Sequence, residues 1–219
     1  MNFEFDGREL STINYQLSMG INLTKGQRIS LEKEAPGLKS IMCGLGWDVA
    51  KPSQGGLFGL FNSTPDFDLD ASVICLDSND KMAKKDDVVY FGNLRHRSGA
   101  IDHCGDNLTG EGEGDDEQIN VYLANIPPEI AKLAFVVNVY QCFQKQQDFG
   151  QIENAFVRLV NMDNNREIAR YNLSGGEYAG QTGMIMAEIY RHQGEWKMAA
   201  IGRGLKVASL SELIQYYNS

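Results

Sequence analysis

TGMIMAEIYRHQGEWKMAAIG, Thr182–Gly202, reads as two strands folded about His192-Gln193-Gly194. Turn residues of the Asn, Asp and Gly kind accept the left-handed backbone that a tight hairpin requires. A second hairpin stands just upstream. AFVRLVN (Ala155–Asn161) turns through MDNN into REIARYN (Arg166–Asn172). Two hairpins in succession point to antiparallel sheet rather than to helices crossing between parallel strands.

The rest of the chain extends this pattern. RISLEK (Arg28–Lys33), KSIMCGLGW (Lys39–Trp47), ASVICLD (Ala71–Asp77), VVYF (Val88–Phe91), INVYLA (Ile119–Ala124) and LAFVVNVY (Leu133–Tyr140) all read as strands. Helix signals are few. PPEIAK (Pro127–Lys132) offers one turn, since proline suits a helix start. SLSELIQYY closes the chain with Ser209 and Glu212 at capping-box spacing, which predicts a short C-terminal helix. The fold class is therefore mainly β: a two-sheet β-sandwich with few short helices. Residues 1–20 read as an N-terminal extension and 21–219 as a single domain. A loop insertion falls at about 51–65, where KPSQGGLFGLFNSTP carries an apolar tip of Leu57, Phe58, Leu60 and Phe61. That tip either tucks onto the body or docks a partner.

The net charge of −9 disfavours nonspecific contact with nucleic acid or an anionic membrane and suits cations. No apolar run is long enough to span a bilayer. The start, MNFEFDGREL, lacks the basic and apolar regions of a secretory signal, so the expected location is cytoplasmic. Cys43, Cys75, Cys104 and Cys142 are scattered, with no CxxC pair, and are expected as reduced, mostly buried thiols. Trp47 and Trp196 are assigned to the core or its margin.

Much of the negative charge is local. DHCGDNLTGEGEGDDEQ (Asp102–Gln118) carries Asp102, Asp106, Glu111, Glu113, Asp115, Asp116 and Glu117, four glycines and no Lys or Arg. Such a stretch is either a solvated acidic loop or a site for something positive. The glycine punctuation favours the second, because glycines let a backbone wrap an ion. Upstream, PDFDLDAS places Asp66, Asp68 and Asp70 at a spacing of two, so on a strand they share one side, opposite Phe67 and Leu69. An EF-hand is rejected: Ala71 stands where the turn glycine belongs, and β-formers follow at once. Oxygen-only ligands suit calcium, which takes about six to eight oxygens in forgiving geometry, better than magnesium. Ten carboxylates in two clusters exceed the need of one ion, so two are expected. Zinc is disfavoured, because His103 and Cys104 lack a matching pair nearby. TGEGEGDD is no phosphate loop, since no GK[ST] follows.

KGQRISLEKEAPGLKSIMCGLGWD, DFDLDAS, GDNLTGEGEGDDE, DFGQIENAFVRLVN and TGMIMAEIYRHQGEWKMAAIGRG, in this order over roughly residues 21–205, resemble the TerD family of tellurite-resistance and stress proteins. The resemblance implies a β-sandwich that binds calcium, as two ions, in a bacterial cytoplasmic stress response. It implies no catalytic activity, and work within multiprotein assemblies of stress-response proteins near the membrane. Carried over by motif, it implies metal ligands at Asp66, Asp68, Asp106, Asn107, Glu111, Glu113, Asp115, Asp116 and Glu117.

A competing reading is a metal-dependent enzyme acting on phosphate esters, with Arg95 and Arg97 of GNLRHRSG holding the phosphate beside the acidic cluster. The plainer reading of that segment is an exposed turn. A third reading is an interaction scaffold in which calcium is structural. Asn154 is expected to hold a strand end, and Glu188 and Arg191 to pair across their hairpin.

Overall fold

The computed structural model describes residues 20–49, 67–105, 114–173 and 175–218. The insertion at 51–65 and all but the last residue of the N-terminal extension lie outside them. Twelve strands are formed by these residues: β1 Ile21–Leu23, β2 Arg28–Ser30, β3 Ser40–Val49, β4 Leu69–Leu76, β5 Val88–Val89, β6 Ile101–His103, β7 Glu117–Tyr122, β8 Lys132–Val139, β9 Ile152–Asn161, β10 Arg166–Asn172, β11 Gly183–His192 and β12 Glu195–Leu205. Three short helices accompany them: α1 Leu31–Glu34, α2 Cys142–Lys145 and α3 Leu210–Asn218.

The strands form two six-stranded sheets. One has the order β1-β10-β9-β3-β7-β6, the other β2-β12-β11-β8-β4-β5. All pairings are antiparallel except β1 with β10. The β11–β12 hairpin closes through Gln193 and Gly194, both at positive φ (54° and 83°), the geometry of a two-residue turn matched to strand twist. A register shift between Ile185 and Ala187 re-aims the strand, so that Met184 and Met186 on one side of it and Ala187 and Ile189 beyond all reach the inter-sheet core.

That core is built by alternation. Leu133, Phe135, Val137 and Val139 of β8 point inward, as do Ile119 and Val121 of β7 and Val157 and Leu159 of β9. β8 is also covered outside: Ala134 and Val136 pack with Ile74, Leu76, Leu213 and Tyr217, so α3 lies on the outer face of the second sheet. A strand buried on both faces carries a continuous apolar run, which LAFVVNV has apart from Asn138.

Several local expectations differ in detail. Arg28–Lys33 is a strand only to Ser30. The Ser30 hydroxyl then accepts from the Lys33 amide and starts α1. Residues 127–130 make a hydrogen-bonded turn, Ile130 N–H to Pro127 O, rather than a helical turn. Glu212 of α3 reaches back to the amide of Ala208, one residue before the expected cap. Glu188 and Arg191 do not pair. Three residues apart on a strand, they point to opposite faces. Glu188 meets Lys132 at 3.1 Å, while Arg191 stacks on Trp196 and donates to the carbonyls of Ile126 and Ile130. Cys43, Cys75 and Cys142 are buried free thiols, and Cys104 is exposed. Among the described residues no helix is long and apolar enough to cross a membrane, which leaves strands out of account.

Candidate functional site

The acidic loop leaves β6 after His103 and returns at the start of β7. Asp66, Asp106, Asn107, Glu111 and Glu113 lie outside the described residues. The stem that carries Asp115, Asp116 and Glu117 is described, and so is Asp68.

The three stem carboxylates go to three different places. Asp115 lies over the outer face of the first sheet. Its oxygens accept from Arg158 Nε and Nη2 at 2.7 and 2.8 Å, a bidentate pair that leaves the Asp115 side chain without exposed surface. Arg158 is aimed outward because its neighbours Val157 and Leu159 point in. Gly44 on the adjacent β3 makes room: a Cβ there would collide with the Asp115 carboxyl. Arg158 also reaches Glu167 at 3.3 Å, and Glu167 in turn binds Arg170.

Glu117 points the opposite way, into the space between the sheets. Its Oε2 accepts from the backbone N–H of Ala71 at 2.9 Å and lies 3.3 Å from His103 Nε2. The same Nε2 lies 3.2 Å from the carbonyl of Ala71, and Nδ1 accepts from the Gly105 amide. Nε2 therefore carries the ring proton in this network. Side chains from β6 and β7 thus bond the backbone of β4 in the facing sheet, beyond the point where β5 pairs with it at Val73 and Ile74.

Asp116 sits between these two. Its amide donates to Leu45 O and its Oδ2 accepts from the Trp47 amide at 2.8 Å, which ties the stem to β3. Burial pushes the Asp116 carboxyl up. The Trp47 N–H opposes that rise, and the charges of Asp48 and Asp115 add to it. Asp48 receives a bond from Asn154 Nδ2 at 2.8 Å, and Asn154 takes positive φ (53°) at the register shift between β3 and β9. At the start of β4 and in the two residues before it, Asp68 and Asp70 alternate with Phe67, Leu69 and Ala71 of the inter-sheet core, as the spacing of two predicts. Asp70 accepts from Asn138 Nδ2 at 3.1 Å.

The model of the TerD domain matches residues 19–217. The chain belongs to the TerD family. It is 50% identical over 201 residues to the stress response protein SCP2 of Bacillus subtilis, covering 91% of this chain and all of that one. It is 42% identical over 198 residues to the tellurium resistance protein TerD of Serratia marcescens, covering 90% and 97%. Among solved structures, a Streptomyces coelicolor homologue of the telluride resistance protein TerD superposes with a TM-score of 0.62 at 24% identity, covering 83% of this chain and 98% of that one, which shows the shared fold.

Does the TerD-type site suit a hard cation? Among the described residues no three His, Cys, Asp or Glu side chains converge on one point. Asp115 and Glu117 already hold partners within the protein. Asp116, which accepts from the Trp47 amide, fits better: burial raises its carboxyl and Asp48 and Asp115 add to the rise, at the foot of a loop rich in oxygen donors. The basic segment fits a phosphate poorly. Arg95 binds Asp102 through Nε and Nη2 at 2.6 and 3.2 Å, and Arg97 lies 3.0 Å from Asp87. His96 of that segment, read from sequence as part of an exposed turn, is fully buried, with Nδ1 against the Ser98 hydroxyl and Nε2 3.4 Å from Asp87.

Arg158, Asp48 and the structural use of His103 escaped the sequence reading. A signal existed for Arg158: a lone cation inside an apolar strand, facing a glycine-punctuated strand in the same sheet.

Proposed function

We propose that this TerD-family protein is a calcium-binding, non-enzymatic stress-response protein of the tellurite-resistance type. It takes two calcium ions on its acidic loops and acts alongside other stress-response proteins, including membrane-associated assemblies. The observation that carries the calcium reading is the position of Asp116, held at the foot of the acidic loop by the Trp47 amide, where burial first, and then the charges of Asp48 and Asp115, push its carboxyl up. A cation there offsets the cost of ionising it. In this reading Asp66, Asp68, Asp106, Asn107, Glu111, Glu113 and Asp116 supply the oxygens. Asp115 and Glu117, from the same motif, fix the stem through Arg158 and through His103 with Ala71. The phosphate-ester reading loses support because both of its arginines are engaged by carboxylates.

Calcium that binds the folded chain and not the unfolded one stabilises it by about 2.7 kcal/mol at a hundredfold excess over Kd. Thermal melts with EGTA and with calcium test this. The expected result is a Tm several degrees lower in EGTA that calcium restores. An unmoved melt overturns the reading.

A further inference from the structure

Asp115 lies on a cross-strand row of the first sheet. Gly44 of β3 pairs with Gln118 of β7 on one side and with Arg158 of β9 on the other. The Asp115 carboxyl rests over Gly44, in the space a side chain would fill, with Gln118 and Arg158 at its flanks. Arg158 supplies its two short bonds. Nε and Nη2 donate to the two oxygens at 2.7 and 2.8 Å, whereas the Gln118 amide stands at 3.5 Å. A planar guanidinium that meets a carboxylate through two parallel bonds is a strong and geometrically specific partner.

The other charges on this face are matched among themselves. Glu167 stands 3.3 Å from Arg158 Nη1, but Arg170 donates to it through both Nε and Nη2, at 3.2 and 3.0 Å. Arg158 is therefore the counterion of Asp115 first. The stretch Asp102–Gln118 contains no Lys or Arg, so this positive charge reaches the acidic loop from β9, outside it. The pair belongs electrically to the foot of the loop, because the Asp115 charge adds to the rise of the neighbouring Asp116 carboxyl. A buried carboxylate stripped of its counterion is driven to find another cation or to take up a proton. The guanidinium and a divalent ion are thus alternatives at Asp115.

We propose that Arg158 is a resident cation of the acidic loop: it occupies Asp115, withholds it from calcium, and so sets the loop's calcium affinity below what its carboxylates would otherwise give. This inference rests on the calcium reading. The family motif counts Asp115 among the metal ligands, and the guanidinium is what takes it out of that set. Loss of the guanidinium frees a carboxylate at the foot of the loop and leaves a buried charge that a bound cation relieves. Both effects favour calcium.

Calorimetric calcium titrations of the full chain test this, comparing the wild type with Arg158→Gln, Arg158→Lys, Arg158→Gln combined with Asp115→Asn, and Arg170→Gln. Arg158→Gln is expected to bind calcium about tenfold more tightly, inside the roughly 5–150-fold range of ordinary coupling between sites. A side chain that merely held the stem would act the other way, and its removal would weaken calcium. Arg158→Lys keeps the charge but cannot make the fork. It should gain severalfold, and it decides the matter should Arg158→Gln not fold. Adding Asp115→Asn to Arg158→Gln should return the affinity to near the wild-type value. Arg170→Gln removes the same charge from the same face without touching Asp115, and should change the affinity less than about twofold. The inference is overturned if the wild type binds calcium and neither Arg158 variant binds it more tightly, if Arg170→Gln gains as much, or if the combined variant keeps the gain. No calcium heat from any of these proteins removes the calcium reading itself, and this inference with it.

Discussion

Glu117, at the start of β7, and Asn138, within the apolar run of β8, are buried almost equally, at 2% and 5% exposure. Their surroundings are opposite. Glu117 meets a backbone N–H and a histidine that joins it to the facing sheet. Asn138 donates to Asp70, and its amide oxygen is buried with no hydrogen-bond partner among the described residues. Burial of a polar group therefore does not by itself mark a ligand site. Completed bonds point to a structural role, and an incomplete set points to something missing. Chain neighbours differ as well: Asp115 is paired with the Arg158 guanidinium, while Asp116 accepts from the Trp47 amide and is pushed up by its burial.

The largest effect should come from breaking the completed set. Glu117→Ala leaves the Ala71 amide without an acceptor between the sheets, while His103 Nε2 keeps the Ala71 carbonyl. A buried donor stripped of its acceptor costs about 1–3 kcal/mol, at the upper end where the lost acceptor was charged. For a chain of this size that is a fall in Tm of about 10 °C, read by circular dichroism in EGTA. A loss under about 2 °C would show that the β4 staple is dispensable and would dissolve the contrast with Asn138.

A smaller effect of opposite sign is expected at Asp116. Its folded carboxyl titrates above the ordinary carboxylate range. Ionising it therefore costs the folded state stability at every pH above the raised value, and costs nothing below the ordinary one. Asp116→Asn keeps an oxygen for the Trp47 amide and removes that penalty. In EGTA at pH 7 the variant should melt slightly above the wild type, with the gain fading as the pH falls through the carboxylate range. In calcium it should lose part of the metal-induced rise. A variant less stable than the wild type in EGTA at pH 7 would place Asp116 with Asp115 and Glu117, as a part of the frame.

Much of this architecture was legible in the chain. The two hairpins, the alternation along β4 and the apolar run of β8 are local patterns, and local patterns survive folding. The closing helix was equally visible from its cap. What stayed hidden depends on residues distant in sequence. Nothing near Asp115 announces Arg158, 43 positions on, as its partner. Nothing in PDFDLDAS shows that the backbone of Ala71 will need Glu117 and His103. His96 looked like a turn residue because Arg95, Arg97 and Ser98 around it are exposed, while its own ring is the buried exception. A run of carboxylates shows an appetite for cations but not which of its members the protein itself engages, because those partners come from strands distant in sequence, β9 for Asp115 and β4 for Glu117.

Whether the acidic loop system takes calcium is decided by calorimetry. EGTA-treated and dialysed protein is titrated with calcium, alone and with magnesium in excess, and then with zinc. Two calcium ions per chain are expected, with little competition from magnesium and with weaker zinc. No calcium heat, or zinc bound more tightly than calcium, would contradict it.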